Sequence, residues 1–175
     1  MPPPYRAQYT FRAERVLGQV ERRDGSMSDY EFTITLRIRH ADIDPARITS
    51  VLGIEPQASW KRGDVRLNAD GAPLQGTHRE SYWTGRLMPS PQLSAQYSSV
   101  EAELLKILAQ LRKSQEFFLE LRSDGAVAEL HVSLFARQEF RVDLSSSSLE
   151  LLGRLGLAVA LEVHPHVPAP RTSSN

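Results

Sequence analysis

Trp60-Lys61-Arg62-Gly63-Asp64 joins a large aromatic ring to two cations, a turn residue and a carboxylate, the densest grouping of binding chemistry in this sequence. A tryptophan offers a wide apolar face and one N–H that needs a partner, and tryptophan and arginine are enriched at binding hot spots. The other tryptophan stands in Ser81-Tyr82-Trp83-Thr84-Gly85, with Arg86 after it and His78 before it. The chemistry on offer is recognition of an anion or an acidic partner. In that reading Trp60 and Trp83 wall a groove, Lys61, Arg62 and Arg86 supply positive charge, and Asp64 and His78 converge on it. The competing reading puts both tryptophans beneath the loop as a satellite core, with Gly63 in a turn and the cations in solvent. Asp64, Asn68, Asp70, Gly71 and Pro73 lie between Gly63 and Gly76. Such turn chemistry predicts a long loop or mobile hairpin.

Other chemistry is thinner. His40, Asp42 and Asp44 alternate along extended chain and would share one side, but Asp44 is also placed to cap a helix and no second histidine is near. Neither a metal nor a cofactor is expected. His131 alternates with Leu130 and Val132, which puts it on a strand's exposed face or beneath a helix. His164 and His166 read as part of a tail. The serines from Ser145 to Ser148 begin a helix and lack a Gly-x-Ser-x-Gly elbow. Neither phosphate-binding glycine motif occurs, and nothing splits Asp42 and Asp44 into acid and base. No catalytic residue is assigned, and the reading leans away from an enzyme.

Composition narrows the classes. The chain's 175 residues suit one domain with a real core, and 41% hydrophobic with 24% charged residues is ordinary for a globular protein. Its 21 basic and 21 acidic side chains cancel, unlike the basic excess of a nucleic-acid binder. The sequence has no cysteine, which removes disulfides, thiolate nucleophiles and cysteine-held metals. No apolar run approaches the roughly 18 residues of a membrane span, and Met1-Pro2-Pro3-Pro4 opens no signal-like apolar core. A cytoplasmic location without membrane or nucleic-acid contact is expected.

The elements that must position these residues follow from periodicity. Phe32, Ile34, Leu36 and Ile38 alternate with Thr33, Thr35, Arg37 and Arg39 as a half-buried strand. Asp44-Pro45 starts a helix that Gly53 ends, and an extended segment runs from Ile54 to Trp60. A weak strand spans 82–87. Ser98 and Glu101 form a capping box for a helix with Val100, Leu104, Ile107, Leu108 and Leu111 on its buried face. Phe117, Leu119 and Leu121 read as a strand, turned at Asp124-Gly125 into Leu130, Val132 and Leu134. That partner, or its continuation at Phe140–Val142, opens a third unit. Ser147 and Glu150 repeat the capping box, Gly156 closes the helix, and Leu157, Val159, Leu161 and Val163 form the last strand. The expected fold is α+β: a ferredoxin-like β-α-β-β-α-β extended by a further β-α-β, helices on one face of a mostly antiparallel sheet.

Residues 1–28 are proline-led and arginine-rich and read as an N-terminal extension. Met27 marks an alternative start of translation, and an arm that docks on a partner is the functional alternative. Residues 29–164 form the single domain, and 165–175 a flexible tail.

Asp42-Ile43-Asp44-Pro45, Leu52-Gly53-Ile54-Glu55-Pro56, Trp60-Lys61-Arg62-Gly63-Asp64, the Trp83 segment and Leu155-Gly156-Leu157 together resemble a bacterial domain-of-unknown-function family numbered 4279. The resemblance covers roughly residues 30–164. It implies fold and domain limits, and brings no catalytic residue or cofactor. The function expected is a non-enzymatic binding domain for a protein partner, of which immunity-type neutralisation is one form. The alternative is a small-molecule or anion binder, or a small enzyme, with its pocket at the Trp60–Trp83 loop. Homodimerisation through a sheet edge, at Phe32–Ile38 or the last strand, is a third expectation.

Overall fold

The computed structural model describes residues 30–88, 92–137 and 139–165. The extension expected over 1–28 and the tail expected over 165–175 lie outside them, save Pro165, which closes the last strand.

The alternation from Tyr30 onward produces β1 (Tyr30–His40), in which Tyr30, Phe32, Ile34, Leu36 and Ile38 are buried. Asp44 Oδ1 accepts from Ala46 N at 2.9 Å to start α1 (Pro45–Leu52), and Gly53 at φ 64° ends it. Next come β2 (Pro56–Trp60), β3 (Val65–Leu67), β4 (Pro73–Thr77), β5 (Ser81–Arg86) and the two-residue β6 (Leu93–Ser94). α2 (Val100–Leu111) is capped by Ser99, whose Oγ accepts from Ala102 N at 3.1 Å, one residue beyond the expected Ser98. After a 3-10 turn, α3 spans Gln115–Ser123; β7 (Val127–Ala136), α4 (Ser146–Leu155) and β8 (Ala158–Pro165) complete the chain.

α3 corrects the strand expected at Phe117, Leu119 and Leu121. The residues it buries are Phe117, Phe118 and Leu121, a helical spacing, while Leu119 is 41% exposed. Gly125, at φ 86°, thus follows a helix and does not turn a hairpin. Phe140–Val142 is likewise irregular, with Phe140 packed on the Tyr30 ring at 5.0 Å.

The main sheet runs β2-β5-β1-β7-β8, with β6 also on β1. β1 is antiparallel to β5, β6 and β7, and β2 is antiparallel to β5. β1 and β2 are therefore parallel with β5 between them, and β5 and β7 are parallel with β1 between them. α4 then carries the chain to β8, parallel to β7. The expectation that Phe32–Ile38 could form an edge is corrected. β1 has eleven residues, enough to pair with β5 and β6 on one side and the length of β7 on the other. The edges are β2 and β8. The outcome is a mixed α+β fold on a mostly antiparallel sheet. One sheet face and the inner faces of the helices share a single core that includes Ile48, Leu104, Leu108, Phe118 and Leu152. No helix among the described residues is long and apolar enough to cross a membrane.

A polar tie joins α2 to the start of α4. α4 is capped by Ser145, whose Oγ accepts from Ser148 N at 3.3 Å, two residues before the expected Ser147; Glu150 instead pairs with Arg154 at 2.6 Å. Glu101 on α2 accepts from Ser145 N and from Ser148 Oγ, both at 2.8 Å. These hydrogen bonds hold its carboxyl below the usual carboxylate range, with desolvation opposing them. Its folded pKa lies below the unfolded value of about 4.3, so the tie stabilises fully above that value and fades as pH falls through the folded pKa. Glu101→Gln is expected to be less stable than the parent at pH 7, with the gap closing in acid. Urea unfolding at neutral and acidic pH checks this, and a gap independent of pH would contradict it.

Candidate functional site

Trp60 ends the edge strand β2, and the chain turns immediately. Asp64 Oδ2 accepts from Lys61 N at 2.7 Å, and Asp64 N donates back to Lys61 O at 3.1 Å. Gly63 adopts φ 90°, a conformation that a β-carbon would strain. Its N–H donates to His78 O at 2.9 Å, and His78 N donates to Asp64 O at 2.9 Å. Arg62 N reaches the buried Ser81 hydroxyl at 3.1 Å. These bonds clamp the two ends of the 63–78 segment together.

The same closure builds an aromatic stack. Trp60 lies 4.3 Å from the His78 ring at 17° and 4.4 Å from the Tyr82 ring at 22°. Tyr82 is the register partner of Trp60 across β2 and β5. Burial, and then the Arg66 cation, push the His78 pKa down against the pull of Asp64. The imidazole is thus a neutral ring at neutral pH.

Beyond this root the segment is a two-stranded hairpin, β3 on β4, separate from the main sheet. Its tip is turned by Asn68, whose Oδ1 accepts from Asp70 N at 3.0 Å and Ala72 N at 2.7 Å, with Gly71 at φ 80°. Every residue from Lys61 to Thr77 is exposed. That includes Val65 at 56%, Leu67 at 58% and Leu74 at 44%. Of the long loop or mobile hairpin expected between Gly63 and Gly76, the structure has the hairpin, and it carries apolar side chains into water.

The structure brings together Trp60, Lys61, Arg62, Asp64 and His78, and adds Tyr82. It separates the other two expected residues. Trp83 is fully buried on the core face, and its Nε1–H donates to Thr49 Oγ1 on α1 at 3.0 Å. As a groove wall Trp83 is corrected: adjacent strand residues point to opposite faces, so Tyr82 and Trp83 cannot both join Trp60. Arg86 shares a sheet face with Tyr82 but stands four residues along β5, about 13 Å away. Asp64 is already used by its own turn. The site residues that sequence reasoning missed are Tyr82, Val65, Leu67 and Leu74. The signal for Val65 and Leu67 was their alternation about Arg66, a strand pattern between Gly63 and Gly76.

The remaining candidates hold structural posts. His40 Nε2 sits 3.0 Å from Asp124 O, and its Nδ1 accepts from Asp42 N at 3.0 Å; Asp44 caps α1. His131, only 6% exposed, lies on the sheet face away from the helices and opposite Thr35. Its Nε2 is 2.9 Å from Glu162 Oε2, and its Nδ1 has no hydrogen-bond partner among the described residues. Burial first, then Arg37, lower its pKa against Glu162 and Glu129. Among the described residues no group of three or more His, Asp or Glu could hold a metal ion.

The sequence matches the model of one family, the domain of unknown function DUF4279, over residues 30–166. No curated protein and no solved structure gives a match. The match spans most of the chain, and the chain belongs to this family.

Proposed function

We propose that this member of the DUF4279 family is a non-enzymatic, cytoplasmic binding domain that takes a protein partner on the β3–β4 hairpin. The observation that carries this reading is the uninterrupted exposure from Lys61 to Thr77 on a hairpin whose two ends are hydrogen-bonded together. Isolated exposed apolar residues are ordinary, but Val65 and Leu67 share one face of this short arm, with Leu74 exposed on the other. Neighbouring exposed apolar side chains mark an interaction surface. Arg66 lies between two of them, and Lys61 and Arg62 flank the root, all exposed. The complementary partner has an apolar centre and an acidic rim. Neutralisation of a partner by occluding it, as immunity-type proteins do, needs only such a surface and no catalytic group. The small-molecule reading places its pocket between the two tryptophans, and Trp83 is in the core instead.

The hairpin residues touch little of the fold, so their replacement separates binding from stability. Val65→Asp with Leu67→Asp is expected to leave thermal unfolding within about 0.5 kcal/mol of the parent. The same double variant should abolish retention of a partner that the parent captures and then binds in purified 1:1 form. Equal retention by the double variant would refute the hairpin as the docking element.

A further inference from the structure

The two edges of the main sheet are built differently. β2 carries Pro56, a bulge between Pro56 and Ala58, and a terminal tryptophan that leads into the hairpin. Proline, bulges and local covering are the usual protections of a sheet edge against another strand. β8 has none of them before its last residue: Ala158 to His164 contains no lysine, arginine or proline, and its eight-residue parallel pairing with β7 is unbroken. No strand among the described residues pairs with its outer side. Leu161 and Val163, on the helix side of the sheet, remain 50% and 53% exposed. This is an open strand template with an apolar row.

We propose that β8 pairs with β8 of a second copy of this chain, antiparallel about a twofold axis at Val163. The sequence of the strand selects both the occupant and the register. With the axis at Val163, each Glu162 stands directly opposite the other copy's His164, so one contact is made twice with complementary chemistry. Both side chains lie on the sheet face away from the helices and are half-exposed, Glu162 at 53% and His164 at 42%. On the helix side the two Val163 side chains meet, and each Leu161 lies diagonal to the other copy's Val163. Moving the axis one residue toward the N-terminus, to Glu162, sets Glu162 against Glu162, a like-charge pair that destabilises. Moving the axis on to Leu161 leaves both Glu162 and His164 opposite alanines. Glu162 also lies 2.9 Å from His131 Nε2 on β7 and 3.8 Å from His164 in its own strand, so a second imidazole joins a carboxylate already among histidines. This inference is independent of the hairpin reading, since β2 and β8 are opposite edges.

The absence of native cysteine makes single-thiol crosslinking clean. Opposed Cα atoms in an antiparallel pair are about 4.5–5.5 Å apart, within disulfide range. Val163→Cys is expected to become mostly disulfide-linked dimer under mild oxidation. Leu161→Cys is the control: it has nearly the same exposure on the same strand, but its symmetry mate would be about 13 Å away, beyond the reach of a disulfide. The unmodified chain should show dimer mass by sedimentation at high concentration, and Val163→Lys should remain monomeric with unchanged far-ultraviolet dichroism. Crosslinking of Val163→Cys no faster than Leu161→Cys overturns the proposal, as does a parent that stays monomeric at every concentration.

Discussion

Gly85→Ala is expected to destabilise the fold by about 2–3 kcal/mol, and to cost almost nothing once Trp83 has been replaced by alanine. Gly85 does not occupy a left-handed backbone conformation, so conformational freedom is not what it supplies. It supplies space. A β-carbon there would lie 2.3 Å from Trp83 Cη2, 2.9 Å from Cζ2 and 3.0 Å from Ile54 Cγ2. The ring cannot easily retreat, because it is fully buried and its N–H is held by Thr49. Trp83→Ala alone removes the largest fully buried side chain, a loss of about 3–5 kcal/mol.

The informative quantity is the coupling between the two substitutions. In the Trp83→Ala background the clash with the ring is gone. Only the 3.0 Å approach to Ile54 Cγ2 is left, and that side chain can give into the space the ring vacated. Urea unfolding of the parent, both single variants and the double variant should give a coupling of about 2 kcal/mol favouring the double. Costs that add within about 0.5 kcal/mol would mean that the strand adjusts by some other route, and that Gly85 is not paired with Trp83.

That pair also shows what local sequence could reveal. Tryptophan followed two residues later by glycine on one strand is a same-face arrangement of large ring and missing side chain, and it was visible in Trp83-Thr84-Gly85. Read so, it assigns Trp83 to a crowded core rather than a groove. β1, α1 and its two caps, the Gly156 end of α4 and β8 were legible because each rests on periodicity or a cap within a few residues. α3 was not. Phe117, Leu119 and Leu121 mimic a two-residue period, and only the helix that buries Phe118 breaks the tie. The aromatic stack was out of reach for another reason. His78 and Tyr82 meet Trp60 only after the hairpin closes and β2 finds β5, and no local signal carries that pairing.

Trp60→Ala is expected to weaken partner binding by about thirtyfold or more, the scale of a hot spot, although Trp60 is half-buried and need not touch the partner. The two stacked contacts, each about 0.5–1.5 kcal/mol beyond simple burial, fasten the root of the hairpin to β5. Without them, Gly63 N–H to His78 O, His78 N–H to Asp64 O and Arg62 N–H to Ser81 Oγ must hold the arm. The amides of the hairpin should then exchange faster with solvent, as a locally opened segment does, while those of β1 and β7 keep most of their protection. Trp60→Phe, which retains a stackable ring, should restore most of the protection and most of the binding. Leu67→Asp provides the contrast: hairpin exchange unchanged, binding lost. A positioning role for Trp60 and a contact role for Leu67 thus have opposite signatures in one pair of measurements. Trp60→Ala binding weakly with hairpin exchange unaltered would instead place the indole itself against the partner.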